Sequence, residues 1–271
     1  MAGPLLTLLL VPVVALSCPQ GATLTTQPAL DLGATAQVCL RAGERQGLLT
    51  VRHPTNPRLL RKERWRNGLR HGTSETWHRN AVLAERAIWV DGQLHGVWLH
   101  WDDQRRLDGR GLFDHGRGLM VRWHKNGLRK AWGHLEASAQ HGLWTFWHTT
   151  GKRSQQVTYD HGRYHGQLAG WHRGGRLAVR MRYAHGAEHG VEERWSEAGV
   201  RLVERRWQHG KAHGLTLYWF PDRRFKEARC FIWQRLRGIW RERDLRHVNE
   251  EGPISDKDLV ARARAQPCIA K

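Results

Sequence analysis

Histidine is the residue in this chain best equipped for chemistry. Eighteen of the 271 residues are histidine, and most recur at fixed spacing. One row, His71, His95, His141, His165, His189 and His213, stands directly before a glycine. A second, His78, His124, His148 and His172, stands directly after a tryptophan. Neutral imidazole is a ligand for Zn²⁺ and Cu²⁺, so such rows raise the question of a metal site. If each repeat supplies two strands, like rungs lie ~10 Å apart, too far for one ion to join them. A site therefore needs histidines from different rows to meet. The plainer expectation is turn chemistry, with each ring packed on a neighbouring tryptophan and no metal bound.

Other constellations are thinner. There is no Gly-x-Ser-x-Gly elbow, no His-Glu-x-x-His helix, no P-loop and no dinucleotide fingerprint. Asp102-Asp103 is an acidic pair in a turn, where solvation is expected. The composition points to neither an enzyme nor a cofactor. The charge is another matter: 44 Lys and Arg against 25 Asp and Glu give a formal net charge of +19. Such an excess attracts polyanions and anionic lipid headgroups. The arginines are spread over every repeat with no dense tract, which fits a solvated surface equally well. Specific nucleic-acid recognition is not expected.

The elements that position these residues come from an internal repeat. Gly142, Gly166 and Gly190 each open a line of 24 residues. Trp147, Trp171 and Trp195 follow five residues later, and the turn glycines Gly151, Gly175 and Gly199 nine residues later. A second aromatic (Tyr159, Tyr183, Trp207) precedes a His-Gly pair. A period of this length marks a repeat architecture. Repeats start at Gly47, Gly72, Gly96, Gly118, Gly142, Gly166, Gly190 and Gly214. The unit from Gly96 is short because Gly116-Arg117-Gly118 lacks two residues of its turn. Positions two, four and six after the leading glycine are mostly apolar, as in Val97, Leu99 and Trp101, which predicts a strand with one buried face. Gly127, Gly151, Gly175 and Gly199 supply the positive φ of a hairpin turn. Each unit is thus a β-hairpin. The expected fold is all-β, an elongated single-layer antiparallel sheet. Trp77, Trp101, Trp123, Trp147, Trp171, Trp195 and Trp219 would be its core. Trp98 and Trp144 fall on the other parity and are expected to be exposed. With Phe146 and Arg194, which vary between repeats, they are the candidate partner-binding residues.

The ends depart from the repeat. Leu5 to Leu16 is an apolar run suited to a secretory signal over residues 1–17. Ala-Leu-Ser-Cys also resembles a loose lipobox, so Cys18 is either lipidated in an outer-membrane lipoprotein or disulfide-bonded. The chain is expected to be exported, to the periplasm or beyond. Four cysteines in an exported chain suggest two disulfides. An array keeps its ends apart, which favours Cys18–Cys39 and Cys230–Cys268. Residues 18–46 are expected to form an N-terminal cap, 47–237 the array and 238–271 a C-terminal cap. Within the last, Ser255 to Asp258 looks like a capping box for a short helix that stops before Pro267.

The pattern G-x-W-x-x-W-H-x-x-G, continuing to Y-x-x-G-x-x-H-G, resembles the MORN repeat. It is most similar to the variant in proteins labelled YwqK-family antitoxins. The likeness covers roughly 47–237, and GLWTFWHTTGKRSQQVTYDHGRYHG carries it best. The resemblance implies tandem hairpins used as an interaction scaffold, in some members at membranes. The expected function is therefore a non-enzymatic exported scaffold that binds a protein partner through its sheet face. The alternative is electrostatic binding to anionic membrane or polyanion through the arginines.

Overall fold

A computed structural model describes residues 16–271 except Pro54, Asn56, Pro57, 246–254, Pro267 and 269–271. The leader expected over 1–17 lies, apart from Leu16 and Ser17, outside the described residues. Among the described residues the protein is all-β, with antiparallel strands that do not close into a barrel and a short C-terminal helix. The chain divides into two compact units, one ending at His115 and the other starting at Gly116. The division falls on the shortened Gly116-Arg117-Gly118 turn.

In both units consecutive strands pair in chain order. In the second, Ala139–Trp147 pairs with Arg153–Asp160, which pairs with Arg163–Trp171, and so on to Arg235–Arg241. Within each hairpin the register is regular up to the repeat tryptophan and then slips. Gly142 faces Tyr159 and Phe146 faces Gln155, but Trp147 faces Arg153. The same slip recurs at Trp77, Trp123, Trp171, Trp195 and Trp219. A bulge at the tryptophan leads into a five-residue turn. His148 N–H donates to the Lys152 carbonyl and Gly151 N–H to the His148 carbonyl. Gly127, Gly151, Gly175 and Gly199 have φ between +81° and +92°, the conformation expected of them. Hairpins join through a tight two-residue turn, such as His161-Gly162 with φ of +44° and +83°. Both residues are left-handed, as a type I′ turn demands.

The units end differently. In the first, the segment expected to cap the array adds two strands, Thr23–Ala29 and Ala34–Arg41. These continue the meander into Glu44–Arg52 and bury Val38, Leu49 and Val51. In the second, Ser255 caps the Asp256–Ala265 helix, its Oγ accepting from Asp258 N–H, as the sequence suggested. Leu259 and Ala263 of that helix cover Leu217, Phe225 and Ala228. Both expected disulfides are present, Cys18–Cys39 and Cys230–Cys268, so Cys18 is paired.

Strand parity overturns the expected core. The seven repeat tryptophans are only half-buried. The buried column is the third position after the leading glycine: Leu49, Ser74, Trp98, Trp144, Leu168, Glu192 and Thr216. Trp98 and Trp144, expected to be exposed, are 5% and 3% accessible. The reason lies on the adjoining strands. Trp98 stands opposite Gly111. Trp144 lies over Gly133, where a Cβ would sit 2.3 Å from the indole. Bare backbone leaves a slot that only a large flat side chain fills, and the Trp144 indole N–H reaches the His134 carbonyl at 2.8 Å. Phe146 packs against Trp144 with ring centres 6.0 Å apart.

Candidate functional site

Three features repeat along the hairpins: a tryptophan face, a long-turn edge and a short-turn edge. On the tryptophan face, arginines stack over the half-buried indoles. In the second unit Arg129 lies 5.1 Å from the ring centre of Trp147 and Arg153 4.6 Å from that of Trp171. Arg180 and Arg201 lie over Trp195 and Trp219, each at 5.8 Å. A guanidinium over an indole face gains from the ring quadrupole while keeping its edge in water. Arg129 and Arg153 have no carboxylate partner among the described residues. Leu119, Leu143 and Val191, at the second repeat position, stay 40–48% exposed. Arg194, a candidate for partner contact, instead pairs through Nε with the fully buried Glu192. The other Glu192 oxygen accepts from the Trp207 indole N–H at 2.6 Å.

At the long-turn edge the histidines are structural. Four repeat tryptophan carbonyls accept from a side chain of the preceding repeat. In each, the histidine one repeat earlier donates through Nε2. His78 reaches Trp101 O at 2.9 Å, His124 reaches Trp147 O at 2.8 Å, and His148 and His172 reach Trp171 O and Trp195 O at 2.9 Å. Because a carbonyl only accepts, the proton sits on Nε2. Asp102 takes the same turn position in the first unit, and it is buried, contrary to the solvated pair expected there. One carboxylate oxygen accepts from the N–H groups of Gln104 and Arg106, and the other from the Arg106 guanidinium, all at 2.9 Å. These bonds, led by the Arg106 backbone N–H, hold the Asp102 carboxyl below the usual carboxylate range.

The short-turn edge is different. Here backbone joins successive turns: Gly162 N–H donates to the Gln140 carbonyl and Gly186 N–H to the Tyr164 carbonyl, both at 2.8 Å. The stacking brings His95, His141, His165 and His189 against the histidine of the next His-Gly turn. Ring centres are 4.8 Å apart for His95 and His115, 4.8 Å for His141 and His161, and 5.1 Å for His165 and His185. Acidic groups join them. His115 Nδ1 lies 2.6 Å from Asp114, and His161 Nδ1 lies 2.7 Å from Asp160. Asp160 also lies 3.7 Å from His141. Hydrogen bonding from His161, with His141 and His165 nearby, lowers the Asp160 carboxyl from its usual value. Three groups, His95/Asp114/His115, Glu136/His141/His161 and Asp160/His165/His185, bring their ligand atoms within 4.8 Å of one another.

The two rows singled out from sequence do not meet each other. The first row meets a third, the turn histidines His115, His161 and His185. The signal for this was a His-Gly pair 20 residues after a His-Gly pair, which is one step of turn stacking. No protein-family model matches the chain, and no curated protein matches it.

Proposed function

We propose that the protein is a non-enzymatic, exported repeat scaffold that binds a macromolecular partner through its tryptophan face. The observation that carries this is the recurrence of partly exposed Leu119, Leu143 and Val191 beside the half-buried indoles of the second unit. Exposed apolar side chains at a regular period mark a surface suited to an extended partner. The likeness to MORN repeats agrees with a scaffold, and two disulfides agree with an oxidising compartment. Leu119→Asp, Leu143→Asp and Val191→Asp in one chain test it. Capture from the native envelope fraction should lose the partner that the unaltered chain retains, with the fold intact by circular dichroism. Equal capture by both chains rejects the tryptophan face.

A second reading, binding to anionic membrane or polyanion, rests on Arg129 and Arg153. Their guanidinium groups are ordered over tryptophans, and among the described residues no carboxylate pairs with them. Vesicles containing anionic lipid should then bind the chain at low salt and release it at about 1 M, where the screening length is only ~3 Å. Binding that persists there, or fails at low salt, counts against it.

A further inference from the structure

We propose that Asp160, His165 and His185 form a binding site for a divalent transition-metal ion, Zn²⁺ or Cu²⁺. The donor set is two imidazoles and one carboxylate, the ligand chemistry these ions prefer. The three come from successive turns of the short-turn edge. Asp160 and His165 flank the tight turn His161-Gly162, and His185 stands in the next. Their ligand atoms lie within 4.8 Å of one another. Bonds of about 2.0–2.2 Å at a tetrahedral angle put ligand atoms ~3.3 Å apart. Closure therefore asks for about 1.5 Å, within reach of rotation about the side-chain bonds. Water completes the coordination.

Neighbouring rungs show why this one is chosen. Glu136, in the group with His141 and His161, is already engaged by Arg117 at 2.5 Å. In the group with His95 and His115, the Asp114 side chain is 83% exposed against 48% for Asp160, so its carboxylate is less fixed. His189 and His209 continue the row with ring centres 6.0 Å apart, but Ala184 stands where Asp160 stands one repeat earlier. Asp160 has histidines as its neighbours, His161 at 2.7 Å and His141 at 3.7 Å. Arg163 faces it across the turn in register, and no ion pair joins the two. The backbone joins these turns with little help from the cluster, which adds only a long 3.5 Å contact from the His185 N–H to His165 Nδ1. The Gly162 and Gly186 N–H groups already join these turns, whereas the long-turn histidines are spent on tryptophan carbonyls.

The test uses the full chain without a histidine tag and with both disulfides intact. Titration with Zn²⁺ alone, and separately with Cu²⁺ alone, should show saturable uptake. His165→Ala, His185→Ala and Asp160→Asn should each weaken the tightest site by at least about tenfold. His148→Ala on the long-turn edge should leave it unchanged. With one equivalent of Cu²⁺, electron paramagnetic resonance should show coupling to two nitrogens, reduced to one in His185→Ala. His185→Gln, which keeps the side-chain bulk, serves if the alanine variant folds poorly. No saturable uptake of either ion overturns the site. So does uptake unaltered by changes at His165 and His185, or lost equally with His148→Ala.

Discussion

At the long turns, His148 spends its Nε2 proton on the Trp171 carbonyl. At the short turns, His165 and His185 face each other beside Asp160 and, among the described residues, meet backbone only in a long 3.5 Å contact between His165 Nδ1 and the His185 N–H. Residue type and period are the same on both edges. What differs is whether the backbone can join successive turns unaided. A type I′ turn points its glycine N–H at the preceding turn and the bond closes. The five-residue turns show no such backbone bond between neighbours among the described residues; at four of them a histidine instead reaches the partly buried tryptophan carbonyl of the next repeat. Histidine at those four turns is fastener rather than ligand. Where backbone suffices, the same residue is left for other work.

The comparison can be broken from the strong side first. Asp102→Ala should give the largest loss, because one carboxylate closes its whole turn with three bonds. Thermal or urea unfolding should show about twice the loss of His148→Ala or more. His148→Ala should itself cost about 1 kcal/mol in the same assay, the worth of one hydrogen bond to a partly buried carbonyl. An unaltered midpoint would remove the fastening role. Acid titration sharpens the contrast. The Asp102 carboxyl is lowered on folding, so its contribution is fully present above its unfolded pKa of about 3.9 and lost as pH falls through the folded value. Asp102→Asn should flatten this part of the stability profile below about pH 4. Asp160→Asn, at a more exposed carboxylate, should flatten it less. Smallest of all, His185→Ala should shift metal-free stability by less than about 0.5 kcal/mol. A loss equal to that of His148→Ala would make both edges structural.

Much of the fold was legible because turn chemistry is local. Gly151 and its equivalents announced positive φ, the 24-residue period announced hairpins, and Ser255 with Asp258 announced the helix. Cysteines placed at opposite ends left one economical pairing. The face assignment failed for a different reason. Alternation fixes which residues share a face but not which face is covered. Val97, Leu99 and Trp101 are the apolar set of their strand, yet Trp98 is the buried one. The same position is buried in most other repeats, and Gly111 on the neighbouring strand gives the Trp98 indole its room there; nothing in the Trp98 strand itself reports either. Arg194 likewise varies between repeats, as a partner-binding residue would, but it pairs with Glu192, buried beside it.

The histidines show the same boundary. Sequence alone determined that they recur in rows in step with the hairpins, since spacing along a chain survives folding. It also determined that no single row gathers ligands around one ion, because two strands separate like rungs. Only the tertiary structure decided which rows meet. Turn stacking sets a residue beside one 20 positions later, and the strand register between them depends on bulges at the tryptophans. That register turns one row inward to the Trp171 carbonyl and its equivalents. It leaves His165 and His185 together with Asp160 at the other edge.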